Sequence, residues 1–418
     1  MNLSLLDPFA LAQDYPNTLS TTLKWGHSSA LRFNHQGTYL ASGTIDGTIV
    51  IFDFDTNGVI TILKGHTRTI QSLCWSQDGR YLLSSSRDWK SILWDLKSCK
   101  PVRTVRFDGP VWGADLNPNN PLQFIVSLYE DTPKMVDVTE DVPRLMTLPT
   151  QPLRPTTTAA PAKADKQLTL VVLFNKSGDY IITGTSRGWL NVISVETLEI
   201  IHSGRITTSN IKNMKLSATG RKVVINSSDR IIRQVRIPDF HNSNPSEWEF
   251  EVQVKFQDVV NRLQWNSVSF STSGDYVLAS TFEGHDVYMW ETEMGSLIKI
   301  FEGPKEEMVE IAWHPTKVLL AVTGLDTGSI YIWTSKLPQK WSALAPDFAE
   351  VEENIEYMEQ EDEFDIIDED VMVQRLLDEE NDEIVDIITI EQTKPSEAFI
   401  IPVDLDLRDE CPESDEDI

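Results

Sequence analysis

The fold is decided by the stretch Asn34-His-Gln-Gly-Thr-Tyr-Leu-Ala-Ser-Gly-Thr-Ile-Asp-Gly-Thr-Ile-Val-Ile-Phe-Asp53, which recurs as Ser76-Gln-Asp-Gly-Arg-Tyr-Leu-Leu-Ser-Ser-Ser-Arg-Asp-Trp-Lys-Ser-Ile-Leu-Trp-Asp95. Their turn glycines, Gly37 and Gly79, lie 42 residues apart. Shorter versions of the phrase return as Lys176-Ser-Gly-Asp-Tyr-Ile-Ile-Thr-Gly-Thr185, Ala218-Thr-Gly-Arg-Lys-Val-Val-Ile225 and Thr272-Ser-Gly-Asp-Tyr-Val-Leu-Ala-Ser280. Similar dipeptides close the units, at Phe52-Asp53, Trp94-Asp95, Trp290-Glu291 and Trp333-Thr334. The chain is therefore built from repeats of one short unit.

A repeat of about 40 to 45 residues that ends in a Trp-Asp-like dipeptide is typical of the four-stranded blades of a WD-repeat β-propeller. One such unit cannot bury both of its faces, so the units must close into a ring. Seven units can be counted, at about residues 25–60, 61–103, 104–138, 166–200, 205–240, 258–298 and 301–336. We therefore predict an all-β fold, a seven-bladed propeller, although the spacing alone would also allow six or eight blades.

The second unit has the most complete set of residues for the hydrogen-bonded tetrad of WD repeats. Gly65-His66, a serine among residues 84–86, Asp88 and Trp94 resemble that tetrad. In it, a buried histidine is satisfied by the turn aspartate and a hydroxyl group. We predict a structural role for His66, because no nucleophile pattern accompanies it.

Composition divides the chain into a nearly neutral body and an acidic tail. Residues 347–418 hold 29 Asp or Glu against Arg375, Lys394 and Arg408, a net charge of −26 out of −28 for the whole chain. Such a polyanion cannot bury enough apolar surface to fold alone, which predicts a largely extended tail. The predicted divisions are an N-terminal lead-in over 1–24, the propeller over 25–340 with insertions near 139–165 and 238–261, a partner-binding acidic segment over 341–391 and a disordered acidic tail over 392–418.

The cysteines and the apolar runs indicate the compartment. Cys74, Cys99 and Cys411 are an odd number without a CxxC pair, which favours neither a disulfide framework nor a zinc site. The longest apolar run, around Leu170–Phe174, is far shorter than the roughly 20 residues that cross a bilayer. Met1–Ala12 lacks the basic start of a secretory signal. We expect a soluble protein in a reducing intracellular compartment.

The sequence contains no common catalytic or cofactor-binding motif. It has no GxGxxG after a strand, no P-loop, no HExxH and no GxSxG elbow. Its Asp-Gly and Ser-Asp pairs recur at blade turns, where aspartate caps the backbone. We therefore predict that the protein is not an enzyme, with no catalytic residue, no metal site, no cofactor and no small-molecule substrate.

Basic residues cluster in two of the units. Unit five holds Arg221, Lys222, Arg230, Arg233 and Arg236, and unit two is surrounded by Lys90, Lys97, Lys100, Arg103 and Arg106. Within a nearly neutral body such residues form either local positive patches for phosphate contact or a solvated face. Arg221, Arg230 and Arg233 are the candidates for such a phosphate contact.

Phrases in the body and the tail resemble one family. In the body these are the opening Met1-Asn-Leu3, Ser228-Asp-Arg-Ile-Ile-Arg233, Gln257-Asp-Val-Val-Asn-Arg262 and Val309-Glu-Ile-Ala-Trp-His-Pro315. In the tail they are Trp341-Ser-Ala-Leu-Ala-Pro-Asp-Phe348, Glu352-Glu-Asn-Ile-Glu-Tyr357, Asp362-Glu-Phe-Asp-Ile-Ile-Asp-Glu-Asp370 and Asp382-Glu-Ile-Val-Asp-Ile387. Together they resemble the retinoblastoma-binding protein 5 family, the WD-repeat subunits of COMPASS and MLL-type histone H3 lysine 4 methyltransferase complexes.

The resemblance implies three partner-binding segments in the tail. The segment that would activate a SET-domain enzyme contains Trp341, Ser342, Leu344, Pro346, Asp347, Phe348, Glu352, Glu353 and Asn354. The segment for a SPRY-domain subunit contains Glu363, Phe364, Asp365, Ile366, Asp368, Glu369 and Asp370. The segment for a second WD-repeat subunit contains Asp382, Glu383, Val385, Asp386 and Ile387. Isolated apolar residues among carboxylates suit anchoring in shallow pockets beside basic grooves.

The resulting hypothesis is a nuclear, non-catalytic scaffold that bridges and activates the SET-domain enzyme through its tail. In such a complex Arg221, Arg230 and Arg233 are the candidates for a nucleosome contact. The first alternative is a WD-repeat adaptor of another nuclear assembly, for RNA processing or ubiquitin ligation. The second is an enzyme on a propeller scaffold, which would need a perturbed acid or histidine cluster at the central channel. A third reading treats the tail as only a solubilising segment.

Overall fold

The repeats fold into seven four-stranded antiparallel sheets, which are the blades of a propeller. The computed structural model describes residues 15–140, 142–153, 167–240, 245, 248–258, 264–301 and 303–335, together with residues 371, 373, 374 and 377. These residues contain 28 β-strands. The prediction of a seven-bladed, all-β ring is thereby confirmed.

The first four blades follow the chain without interruption. Blade 1 consists of β2 (Ser28–Phe33), β3 (Tyr39–Thr44), β4 (Thr48–Asp53) and β5 (Val59–Lys64). Blade 2 consists of β6 (Ile70–Trp75), β7 (Tyr81–Ser86), β8 (Lys90–Asp95) and β9 (Lys100–Arg106). Blade 3 consists of β10 (Val111–Leu116), β11 (Gln123–Leu128), β12 (Lys134–Asp137) and β13 (Arg144–Thr147). Blade 4 consists of β14 (Thr169–Phe174), β15 (Tyr180–Thr185), β16 (Trp189–Ser194) and β17 (Ile200–Arg205).

The last three blades complete the ring. Blade 5 consists of β18 (Ile211–Leu216), β19 (Lys222–Ser227), β20 (Ile232–Arg236) and β21 (Glu251–Phe256). Blade 6 consists of β22 (Trp265–Phe270), β23 (Tyr276–Thr281), β24 (Val287–Glu291) and β25 (Leu297–Phe301). Blade 7 consists of β26 (Met308–Trp313), β27 (Leu319–Gly324), β28 (Ile330–Thr334) and β1 (Thr18–Leu23). The seven innermost strands contact one another in order, and β26 contacts β2, so the ring is closed.

The hydrophobic core lies between neighbouring blades rather than in one central mass. Each of seven buried clusters combines side chains from two adjacent blades. On β3, Leu40 belongs to the cluster with blade 7, and the next residue, Ala41, belongs to the cluster with blade 2. Successive side chains of a strand point to opposite faces, so each blade buries both faces only when it has two neighbours.

The ends of the ring are joined by β1, which corrects the predicted lead-in over residues 1–24. Thr18 lies opposite Thr334 and Leu23 lies opposite Ile330, so β1 is the outer strand of blade 7. The propeller therefore begins before residue 25. A linear count of repeats missed β1 because an outer strand carries neither the turn glycine nor the closing dipeptide.

Parts of both predicted insertions are also outer strands. Within 139–165, β13 pairs with β12, and within 238–261, β21 pairs with β20. The sequence from Trp248 to Val254 alternates apolar and polar residues, which is typical of a strand, and the strand formed here is the regular fourth one of blade 5. Before this strand in the chain, the rings of Phe240 and Trp248 pack edge to face, with their centroids 4.8 Å apart. Only the connections before and after β13 and β21 therefore remain as insertions.

In the C-terminal segment, Val371, Val373, Gln374 and Leu377 have helical backbone and are exposed. Among the described residues, no helix has the length and apolar character that a membrane span requires.

Candidate interaction faces of the ring

One face of the ring is formed by equivalent turns of all seven blades. In each blade, the first residue after the second strand donates its backbone N–H to a carbonyl in the connection that enters that blade. The pairs are Ile45 to His27, Arg87 to Thr69, Tyr129 to Pro110, Ser186 to Leu168, Ser228 to Asn210, Phe282 to Gln264 and Leu325 to Glu307, at 2.7 to 3.1 Å. We call this the top face, and the opposite one, which carries the other two turns of each blade, the bottom face.

The tetrad predicted for blade 2 is present, and it holds the top turn. His66 Nδ1 lies 3.0 Å from Asp88 Oδ2, and His66 Nε2 lies 2.8 Å from Ser84 Oγ. The Trp94 indole N–H donates to the same Ser84 oxygen at 2.9 Å. Burial lowers the pKa of His66, and the neighbouring Asp88 offsets this effect only in part. Both ring nitrogens of His66 are occupied by the protein, which confirms its structural role.

Other blades make the same link with different residues. In blade 5, Thr207 Oγ1 donates to Asp229 Oδ2 at 3.1 Å, and Arg233 Nη1 donates to Asp229 Oδ1 at 3.1 Å. In blade 7, the Glu306 carboxylate accepts the Thr327 backbone N–H at 3.0 Å and also the Tyr331 hydroxyl. The sequence did not predict these two links. The sequence signal that could have predicted the link in blade 5 is Thr207, a polar residue that precedes Asp229 by the same distance in the chain as His66 precedes Asp88.

The three arginines predicted for a nucleosome contact do not form one patch. Arg230 is exposed in the top turn of blade 5, whereas Arg221 precedes β19 and therefore lies on the bottom face. There Arg221 lines a cleft of about 990 Å³ with Lys176, Arg236 and other residues. Arg233 is only 7% exposed. Its guanidinium is held by Asp229 and by Ser227 Oγ at 2.7 Å, so the prediction of Arg233 as a contact residue is wrong.

The central channel contains ionisable side chains from several innermost strands. Lys215 of blade 5 and Glu310 of blade 7 form an ion pair at 3.4 Å, although blade 6 lies between them. Asp115 of blade 3 lies 3.2 Å from the Cys74 thiol of blade 2 and accepts the Phe174 backbone N–H of blade 4 at 2.8 Å. Burial raises the pKa of Asp115.

These channel contacts connect different blades of the ring. Both oxygens of the perturbed acid, Asp115, are already engaged by protein groups, and burial raises the pKa of its neighbour Cys74, so the unreactive thiol form is favoured. Within the described ranges, no three His, Cys, Asp or Glu side chains are grouped so that they could hold a metal ion.

The predicted partner-binding segments of the tail lie outside the described residues. This applies to the SET-domain segment over 341–354, the SPRY-domain segment over 363–370 and the segment over 382–387 for the second WD-repeat subunit. The ring therefore supplies all of the site geometry given above.

Comparisons with known proteins agree with the repeat pattern, and the similarity to whole relatives covers most of the chain. The WD40 family (WD domain, G-beta repeat) matches residues 17–53 and 57–95. The chain is 50% identical to "Set1 complex component swd1" of Schizosaccharomyces pombe, over 88% of this chain and 91% of that protein. It is 39% identical to "COMPASS component SWD1" of Saccharomyces cerevisiae, over 97% of this chain and 98% of that protein.

A more distant relative and a solved structure agree with this result. The chain is 33% identical to "Retinoblastoma-binding protein 5 homolog" of Drosophila melanogaster, over 96% of this chain and 79% of that protein. The crystal structure of the Cps50 (Swd1) β-propeller domain of Myceliophteria thermophila has a TM-score of 0.73 and 46% identity. It covers 76% of this chain and 99% of its own. The chain therefore belongs to the Swd1 and retinoblastoma-binding protein 5 family of WD-repeat propeller proteins.

Proposed function

We propose that this chain is a non-catalytic scaffold subunit of a COMPASS-type histone H3 lysine 4 methyltransferase complex. The observation that carries the proposal is similarity that includes the tail: the relative named as a COMPASS component aligns with 97% of the chain. If only the propeller were shared, the alignment would end near residue 335. The occupied acid in the central channel supports a scaffold rather than an enzyme.

In this proposal the tail activates the SET-domain enzyme. Residues 341–354 run along that domain and favour its catalytically competent conformation. Binding can shift a conformational equilibrium only as far as the affinities for the two states differ, so the segment must contact the competent state better. The bunched apolar residues, such as Leu344 and Phe348, are suited to this contact because a solely solubilising tail has no need of them.

Two further segments hold the other subunits. Residues 363–370 bind the SPRY-domain subunit, with Phe364 and Ile366 as apolar anchors among carboxylates. Residues 382–387 bind the second WD-repeat subunit, with Val385 and Ile387 in the same role. Several weak contacts on one chain strengthen each other, because the first contact raises the effective concentration of the next.

The ring faces the nucleosome in a nuclear complex. The exposed Arg230 at the top of blade 5 is the best-placed candidate for a phosphate contact among the predicted arginines. Arg221 would serve a separate contact, because it lies on the bottom face. The function requires no membrane, cofactor or small-molecule substrate.

A methyltransferase assay on histone H3 with purified SET-domain and SPRY-domain subunits tests this function. The intact chain is compared with a chain that ends before Pro338 and with a control chain that lacks only residues 392–418. We expect the truncation before Pro338 to lower methyl transfer by about tenfold or more, and the control to retain it. Equal activity of all three chains, each shown to be folded by circular dichroism, would refute the tail mechanism. Unchanged partner binding after the truncation would favour the adaptor alternative.

A further inference from the structure

We infer that the top face of blades 1 to 3 binds a short acidic segment of another protein through apolar anchors. The surface consists of Ile45, Trp89, Trp112 and Tyr129 with the arginines Arg68 and Arg87, and we call it the aromatic platform. This inference is independent of the proposed membership in a methyltransferase complex, because it rests on the ring alone.

Large apolar side chains are exposed together on this part of the top face. Ile45, Trp89 and Trp112 are 40%, 42% and 42% exposed, and Tyr129 is 50% exposed. Ile45 and Tyr129 occupy the same turn position in blades 1 and 3. The rings of Trp112 and Tyr129 are neighbours, with centroids 6.4 Å apart. Exposed apolar side chains that are grouped on one face mark binding sites, and Trp, Tyr and Arg dominate the centres of protein interfaces.

Trp89 is held in a backbone conformation that does not suit it. Its φ of 68° lies in the left-handed region, which is unfavourable for a bulky side chain. The corresponding turn of blade 1 uses Gly47, with a φ of 85°. The indole is 42% exposed, so much of its surface remains available for a contact outside the chain. Strained residues of this kind are concentrated at binding sites. A contact with another molecule therefore explains why a tryptophan, rather than a glycine, occupies this position.

The tetrad makes this part of the surface rigid. Asp88, paired with His66, accepts the backbone N–H of Thr67 at 3.2 Å and of Lys90 at 3.1 Å. Ser86 Oγ donates to the Arg68 carbonyl at 2.9 Å, which joins the entering connection to the turn. Arg68, Arg87 and Trp89 are therefore presented on a hydrogen-bonded support. A preorganised surface loses less entropy when it binds.

The charge of the platform selects an acidic partner. Arg68 and Arg87 are exposed, as are Lys64 and Arg106 at the top ends of β5 and β9. None of these four cations takes part in an ion pair with any residue that the structure describes. Carboxylates between apolar anchors would pair with the two central arginines, since guanidinium matches carboxylate geometry.

A protein segment fits this surface better than a nucleic acid. The exposed Asp46 and Glu130, in the top turns of blades 1 and 3, lie on either side of blade 2 and would repel a continuous phosphate backbone. Ile45 is aliphatic and offers no ring for a base to stack on. A peptide can place its carboxylates only at the arginines and its apolar side chains elsewhere.

Fluorescence anisotropy with the full-length chain tests the inference. The probe is a labelled peptide of about twelve residues in which Asp and Ser alternate around one Phe and one Leu. Two further probes are the same peptide with Lys for Asp and a single-stranded oligonucleotide of equal length. The variants are Arg87→Glu and Trp89→Gly, and the matched control is Lys97→Glu, an exposed charge reversal on the bottom face of the same blade.

We expect the acidic peptide to bind and the Lys peptide not to bind. Arg87→Glu and Trp89→Gly should each weaken binding by about tenfold or more, and Lys97→Glu should leave it unchanged. Equal losses in all three variants, or tighter binding of the oligonucleotide with the same Arg87 dependence, would overturn the inference. Binding that appears only in a full-length chain whose carboxylates at 361–370 are neutralised would assign the platform to the chain's own tail and would overturn it as well.

Discussion

Blades 2 and 5 fasten their top turns at the same position with different chemistry. Blade 2 uses hydrogen bonds, in which His66 joins Asp88 to Ser84. Blade 5 uses an ion pair, in which Arg233 Nη2 lies 2.5 Å from Asp229 Oδ2. In both blades the turn aspartate receives a hydrogen bond from the entering connection. The geometry of a blade is thus preserved while the residues that give it a recognisable sequence are replaced.

The two solutions respond differently to protons. Burial lowers the pKa of His66, so the folded state keeps this histidine neutral. Although burial alone would raise the pKa of Asp229, hydrogen bonds from Arg233 and Ser227 lower it to about 2. Blade 2 is therefore sensitive to mild acid and blade 5 only to strong acid. Four pairs of variants would test how far the links in blades 2 and 5 contribute equally to stability.

The largest difference in stability should come from the buried core residue near the end of the third strand, β8 in blade 2 and β20 in blade 5. Trp94 is 2% exposed, and Val235 occupies the same place in blade 5 at 0%. Trp94→Ala should lower the free energy of unfolding by about 3–5 kcal/mol, because it leaves a large cavity and removes the donor to Ser84. Val235→Ala should cost clearly less, since it deletes only two methyl groups. Urea unfolding monitored by circular dichroism gives both values, and equal costs would contradict the view that Trp94 anchors blade 2.

The next effect concerns the residue that reaches the turn from the entering connection. His66→Ala should cost about 2–3 kcal/mol, because it leaves Asp88 and Ser84 without their buried partner. Thr207→Ala should cost about 1 kcal/mol, because Asp229 keeps its other hydrogen bonds. The same urea experiment measures both. A Thr207→Ala loss as large as that of His66→Ala would show that the connection, rather than Arg233, holds the turn of blade 5.

The difference between these blades explains how much the sequence could predict. The repeat, the blade number and the His66 tetrad depend on local residue types, which a single chain displays. Arg233 was assigned to the surface because arginine is almost never buried without a partner, and its partner, Asp229, could not be assigned to it without the geometry. The strand β1 was missed for a related reason, since its pairing with β28 joins the two ends of the ring.

Removal of the arginine should give a smaller but pH-specific effect. Arg233→Met fills the volume but leaves Asp229 without its ion pair, which should cost about 1–2 kcal/mol at pH 7 because the pair is partly exposed. The folded pKa of Asp229 lies below the ordinary value of 3.8, so this contribution is present above about pH 4 and is lost as the pH falls towards 2.

The blade 2 variant should show a different pH window. The folded pKa of His66 lies below the ordinary value of 6.5, so its contribution is fully present above about pH 6.5 and is lost as the pH falls from there through the folded pKa. The stability gap between wild type and His66→Ala should therefore narrow between pH 7 and 5, where the gap for Arg233→Met stays constant. Unfolding measured at pH 7, 5 and 3 separates the two. Gaps that narrow together would mean that the two links share one titrating group.

The smallest effect should come from Trp89 and Arg230, the left-handed residues in the top turns of blades 2 and 5, with φ of 68° and 70°. Glycine adopts this conformation without a steric penalty, so Trp89→Gly and Arg230→Gly should each leave stability unchanged or raise it by up to about 1 kcal/mol. Part of the gain is lost because glycine makes the unfolded chain more flexible. Thermal unfolding of both variants checks this expectation. A loss of stability in Trp89→Gly alone would show that the indole supports blade 2 itself, whereas a neutral result in both would mean that each turn carries its side chain for contacts outside the ring.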